Sequence, residues 1–199
     1  MRKFFVMLTV ALMLTVTNFA EAAVQFKQEH FDQMIGATVQ NPAAVQNISQ
    51  LPVNATIFQG NYNSFMKSFI KDTKATGDDL AMMEKIFLIT EPKIFTKENE
   101  VLFAQNFSNK AIIIGLSKDG DKFNVLNFFA PKSDDKNDAL FNALIISAFI
   151  KGIDSTYDIN ALFNEITNSP DATVIHNGIQ YSISRLGDLE VMTAVSKGN

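Results

Sequence analysis

The sequence predicts an α+β fold: an antiparallel sheet of two meanders, with a helical hairpin and an N-terminal helix packed on one face. Three observations carry that expectation. Two blocks of short β segments are punctuated by turn dipeptides, Asp119-Gly120 in the first and Asn177-Gly178 in the second. Between them lies an apolar stretch, Ala139 to Ile153, too long for a strand. It is followed at once by a second helical pattern, and two helices in succession make a hairpin that can pack on the sheet.

The chain opens with Arg2 and Lys3, an apolar run from Phe4 to Val16, and small residues at Ala20 and Ala22. That is the layout of a secretory signal peptide cut before Ala23, so the protein is expected to be exported, to a periplasm or to the medium. Removing 22 of the 199 residues leaves 177, enough for one domain with a sizeable core. The expected division is a signal peptide over 1–22, a helical segment and connecting arm over 23–58, and a single α+β domain over 59–199.

From Val24 to about Gln40 the pattern Phe26, Phe31, Met34, Ile35 and Thr38 is loosely helical, and Asn41-Pro42 predicts its stop. Residues 43–59 read as an arm with a short extended piece at Thr56 to Phe58. Tyr62, Phe65, Met66, Phe69 and Ile70 then form one apolar stripe, which predicts a helix from Asn61 to Lys74. Asp78-Asp79 caps a short turn through Met82 and Met83, and Ile86 to Ile89 reads as a buried strand.

Beyond Glu91 the signal is β. Val101 to Phe107, Ala111 to Leu116 and Phe123 to Phe129 form the first meander, which Pro131 closes. Asp135 and Asp138 are spaced as a capping pair for the long apolar helix, and Ser155 or Asp158 caps the helix that follows, through Ile159, Leu162, Phe163 and Ile166. Thr173 to His176, Ile179 to Arg185 and Leu189 to Val195 form the second meander. The long helix is apolar nearly all round, so either the N-terminal segment and arm or a second subunit should cover its outer side.

Composition narrows the function. The 17 basic and 21 acidic residues become 15 and 20 once Arg2, Lys3 and Glu21 are removed, a net charge of −5, with no basic patch for nucleic acid. Cysteine is absent, which excludes disulfides, a thiol nucleophile and lipid attachment at the signal junction. Fifteen of the 18 phenylalanines remain in the mature chain to build an unstapled core, a composition that suits a bacterial envelope. Ala139 to Ile153 falls short of a membrane span, so no membrane anchor is expected in the mature form.

No residues stand out as catalytic. His30 and His176 are far apart in the chain and neither has a metal-spaced partner, so no metal is expected. There is no G-x-S-x-G elbow and no glycine-rich phosphate loop, so no nucleotide cofactor is expected either. The acidic pairs Asp78-Asp79, Asp134-Asp135 and Asp119/Asp121 sit at turns and helix starts, where capping explains them. The expected function is a non-enzymatic binding module of the cell envelope, with a protein partner. Gln180, Ser182 and Ser184, on the wet side of a half-buried strand, together with His176 and Tyr181, are the candidate docking surface. A homodimer is a further expectation. Alternatives are a carrier holding a small apolar ligand in a phenylalanine-lined cavity, and a wall or glycan hydrolase using an aspartate and His176.

Overall fold

The computed structural model describes residues 28–44, 48–97, 99–118, 121–169 and 172–197. The signal peptide, its junction at Ala23, Val24 and Phe26 of the first helical pattern, and the Asp119-Gly120 turn lie outside the described residues.

The elements in chain order are α1 (Gln28–Ala44), β1 (Ile48–Ser49), α2 (Ala55–Thr73), α3 (Gly77–Phe87), β2 (Lys93–Lys97), β3 (Glu100–Phe107), β4 (Ala111–Ser117) and β5 (Val125–Pro131). These are followed by α4 (Lys136–Ile153), α5 (Ile159–Asn168), β6 (Thr173–His176), β7 (Ile179–Leu186) and β8 (Leu189–Lys197). The fold is α+β. One antiparallel sheet has the order β2-β3-β4-β5-β8-β7-β6, with β1 paired to the end of β8. Each meander is built from sequential hairpins, and β5 joins β8 from Val125 opposite Val195 to Pro131 opposite Leu189. The turn between β6 and β7 has Asn177 at φ 50° and Gly178 at φ 74°, the two positive values that Asn-Gly supplies at low cost.

One face of the sheet carries α2 to α5. Between them lies the main core, in which Phe58, Phe69, Phe87, Phe103, Phe107, Phe128, Phe141 and Phe149 are all fully buried. The cover over α4 is α2, whose first turn, Ala55 to Phe58, is the end of the expected arm. Phe58 of α2 lies against Gly152 of α4, where a Cβ would meet its ring carbons at 2.5 and 2.7 Å. Asn61 Nδ2 of α2 also donates to the Gly152 carbonyl at 3.3 Å.

α1 takes the opposite face, across β4 and β5. The reason is written in β4. Every residue from Ala111 to Ser117 is buried, so both faces of the strand need a cover and the hairpin supplies only one. α1 runs to Ala44, past the stop expected at Asn41-Pro42. Pro42 falls in the last turn, where its missing N–H forfeits a single ladder bond.

Two further expectations change. The helix expected from Asn61 begins at Ala55, because Asn54 caps it by accepting the Ile57 N–H at 2.9 Å, so Thr56 to Phe58 are helical and not extended. In place of the strand expected over Ile86 to Ile89, Ile86 and Phe87 end α3 and Leu88 and Ile89 leave it, with Met83 and Phe87 four apart on its buried face. The polar backbone of Ile89 is satisfied by side chains of α2: its N–H donates to Asn63 Oδ1, and its carbonyl accepts from Gln59 and Asn63. A short apolar run is equally compatible with either element, and here the partners decide. The arm is integrated as well. Leu51 and Val53 are buried, and their backbones exchange hydrogen bonds with Phe123 at 2.7 and 3.0 Å.

Candidate functional site

α1 is seated by residues four apart. Met34, fully buried, packs among Ile112, Ile114, Phe129, Leu189 and Val191. One turn on, Thr38 donates its hydroxyl to the Met34 carbonyl at 2.8 Å and accepts from Asn127 Nδ2 at 3.0 Å. One turn back, His30 Nε2 lies 3.6 Å from Asp188 Oδ1 in the β7–β8 turn. This helix covers the middle of a wide sheet and leaves its flanks open.

On the flank towards β2 lies a groove of about 510 Å³. Phe31 and Ile35 form its α1 wall, and Leu102, Ala104, Ile112, Ile114 and Phe95 form its sheet side. Glu91, Lys93, Gln105 and Asn106 are its polar border. The groove ends at β2, which pairs with β3 alone among the described strands, so no described strand occupies its outer edge. Ile94 and Phe95 are 53% and 55% exposed there, the second pointing with Leu102 to the groove side and the first with Phe103 to the helical side. β2 was not singled out in the sequence. Its flanking Lys93 and Lys97 dilute the apolar signal, although a β-rich run between Pro92 and the turn at Asn99 could have marked it.

The five sequence-predicted residues do not form one surface. Gln180, Ser182 and Ser184 share the α1 face, opposite Val195, Thr193 and Val191 of β8, on the flank away from the groove. Tyr181 points to the helical face and is fully buried, so it is a core residue and not part of a docking surface. Cross-strand register explains the division, since alternate residues of one strand look opposite ways.

His176 shares the helical face with Tyr181 and joins a polar cluster at the end of α4. Its ring stacks on Tyr157, with centroids 3.7 Å apart and planes 2° from parallel, and its Nε2 is 4.0 Å from Asp154 Oδ2. Asp154 Oδ2 also accepts from Asn177 Nδ2 at 3.0 Å, while Oδ1 accepts from the Thr156 N–H and hydroxyl at 2.9 and 2.6 Å. Partial burial would raise the Asp154 pKa, but the hydrogen bonds from Thr156 and Asn177 outweigh it, with help from His176, and hold it below its usual 3.8. Burial, the Glu165 carboxylate beside the hydroxyl and Asp154 push Tyr157 up to about 12, and burial raises Tyr181 as well. With its oxygens taken by Thr156 and Asn177, Asp154 ties the β6–β7 turn to the α4–α5 loop, a structural use of a carboxylate.

The lowered pKa fixes the sign of a pH effect. Ionised Asp154 contributes stability that is fully present above 3.8 and is lost as pH falls through the lowered value. Thermal melts from about pH 5 down to pH 2 should therefore fall more steeply for the natural protein than for Asp154→Asn. Parallel curves would remove this role for Asp154.

Among the described residues no group of three or more His, Asp or Glu is placed to hold a metal ion, and no helix is long and apolar enough to cross a membrane. No protein-family model, curated protein or solved structure matches this chain.

Proposed function

We propose that the protein acts by binding another protein, taking an extended apolar segment into the groove beside α1 and along the open edge of β2. The supporting observation is the juxtaposition of that groove with an edge strand that exposes Ile94 and Phe95. An added strand gains affinity from main-chain hydrogen bonds and specificity from every second side chain entering a pocket. Export, read from the first 22 residues, would place the encounter in the periplasm or the medium. On this reading the protein is not an enzyme.

A thiol at the groove border tests the proposal, because the natural chain has no cysteine. Glu91→Cys carrying an environment-sensitive dye is titrated with short peptides of alternating apolar and polar residues. Saturable spectral shifts are expected, and Ala104→Arg in the same background, which fills the groove, should abolish them. A flat response to every peptide would sink the proposal. Saturation by a fatty acid alone would instead favour a second reading, a carrier of a small apolar ligand. The groove's volume supports that reading, since it falls in the range of small-molecule sites, about 300–1,000 Å³.

A further inference from the structure

We propose that the segment taking the open edge of β2 is β2 of a second copy of this chain, the two sheets joining antiparallel about a two-fold axis at Ile94. This rests on reading the groove and edge as a protein-docking surface, and it names the partner at the edge, the groove beside α1 remaining the seat of the apolar segment.

The first argument is the distribution of apolar surface. Ile94 and Phe95 stand on opposite faces of the same strand and both are more than half exposed. A partner that covers one face leaves the other in water, whereas a strand laid along the edge shields both.

The second is charge complementarity. Facing residues of an antiparallel pair share a face, so a symmetric pairing must centre on one residue of β2. Centred on Lys93, that lysine would face its own copy. Centred on Phe95, lysine 93 would face lysine 97 at both ends of the pair. Like charges directly opposite are destabilising. Centred on Ile94, each Lys93 faces the second copy's Phe95, and the register carries Glu91, two residues ahead of β2, towards position 97 of the copy, a lysine, so the sequence sets opposite charges against each other at both ends. Lysines on an edge strand discourage indiscriminate pairing, and these two leave the Ile94 register as the one in which their charges are complemented.

The third is the groove itself. The axis at Ile94 sets Lys93 and Phe95 of the second copy just beyond the β2 border, on the groove side. Each copy thereby lengthens the wall of the other's groove.

Single cysteines read the register directly, and both sites are exposed, so folding is not at risk. Ile94→Cys places two thiols at facing positions, within the span a disulfide closes. Thr96→Cys, on the same face, places them about 14 Å apart along the strands, beyond that span. Under mild oxidation the Ile94→Cys protein is expected to form a covalent dimer at least about tenfold faster than Thr96→Cys. The unmodified protein should sediment as a dimer, and Ile94→Lys as a monomer. Equal rates, faster linkage through Phe95→Cys, or a monomeric natural protein would each overturn the inference. A monomer that still binds peptides at the labelled groove would overturn the second copy alone. A monomer that binds none would take the docking surface with it.

Discussion

Phe58→Ala is expected to destabilise the fold by about 3–5 kcal/mol, a large share of the 5–15 kcal/mol typical of a domain. Phe58 is fully buried, and its ring centroid lies 6.0 to 6.3 Å from those of Tyr62, Phe103, Phe123 and Phe149. It therefore joins α2, α4, the β4–β5 connection and β3 in one contact. Truncation removes the apolar area and leaves a cavity that five neighbours, held by α2, α4, β3 and the β4–β5 connection, cannot fill by small shifts. The fifth neighbour, Gly152, makes the expectation sharper. Alone, Gly152→Ala drives a methyl into the Phe58 ring and should cost about 1–3 kcal/mol. In the Phe58→Ala background the same methyl enters the vacated space and gains helix propensity, so it should be neutral or stabilising. Urea melts of the two single variants and the double variant would measure this. Simple additivity would show that the ring does not occupy the space facing Gly152.

The second large effect is expected at Asp138. Lys110, in the β3–β4 turn, has a side chain only 6% exposed, and its Nζ donates to Asp138 Oδ1 at 2.6 Å. Asp138 is itself 16% exposed, lies in the first turn of α4 and accepts from the Ser133 hydroxyl at 2.9 Å. Asp138→Ala strips the carboxylate from a buried ammonium, and such a break typically costs about 3–5 kcal/mol. Removing the lysine charge at the same time should restore most of that loss, because the expense lies in keeping the ammonium buried without this carboxylate and not in the absence of the pair. Lys110→Met with Asp138→Ala is therefore expected to be more stable than Asp138→Ala alone. Equilibrium unfolding at neutral pH decides it, and a double variant as weak as the sum of the singles would refute the argument. Because the pair is buried, added salt should change the outcome little.

Much of the scaffold could be read without coordinates. Asn177-Gly178 allowed one economical turn, Asp135 caps α4, and of Ser155 and Asp158 it is Asp158 that caps α5, the two accepting the N–H groups of Asn137, Asp138 and Asn160; Asp138, the expected partner of Asp135, instead accepts from Lys110 and Ser133. These signals are local, carried by residues whose own backbone or capping chemistry leaves few alternatives. The same holds for the alternation of Ile179, Tyr181 and Ile183 with Gln180, Ser182 and Ser184. It identifies a strand but not its surroundings, and the Tyr181 expected at a surface is buried on the helical face, its ring centroid 5.8 Å from that of Tyr157 in the α4–α5 loop.

Local pattern was weakest where two elements compete for one short run. Ile86 to Ile89 had the composition of a strand, and it became a helix end because Asn63 and Gln59, more than twenty residues earlier, satisfy the Ile89 backbone. The groove was harder still, since its walls come from α1, β2, β3 and β4, and no single stretch contains it.

The sequence by itself determined the α+β class, the two meanders, the caps of α4 and α5 and the Asn177-Gly178 turn, because each depends on the backbone preferences and periodicity of neighbouring residues. Only the tertiary structure decided that α1 crosses the second face, that β2 is the last of the described strands on its side of the sheet, and that Phe31 and Ile35 face Leu102 and Phe95 across a groove. Those outcomes follow from which apolar faces remain to be buried once the other elements have packed, a property of the whole chain and of no segment within it.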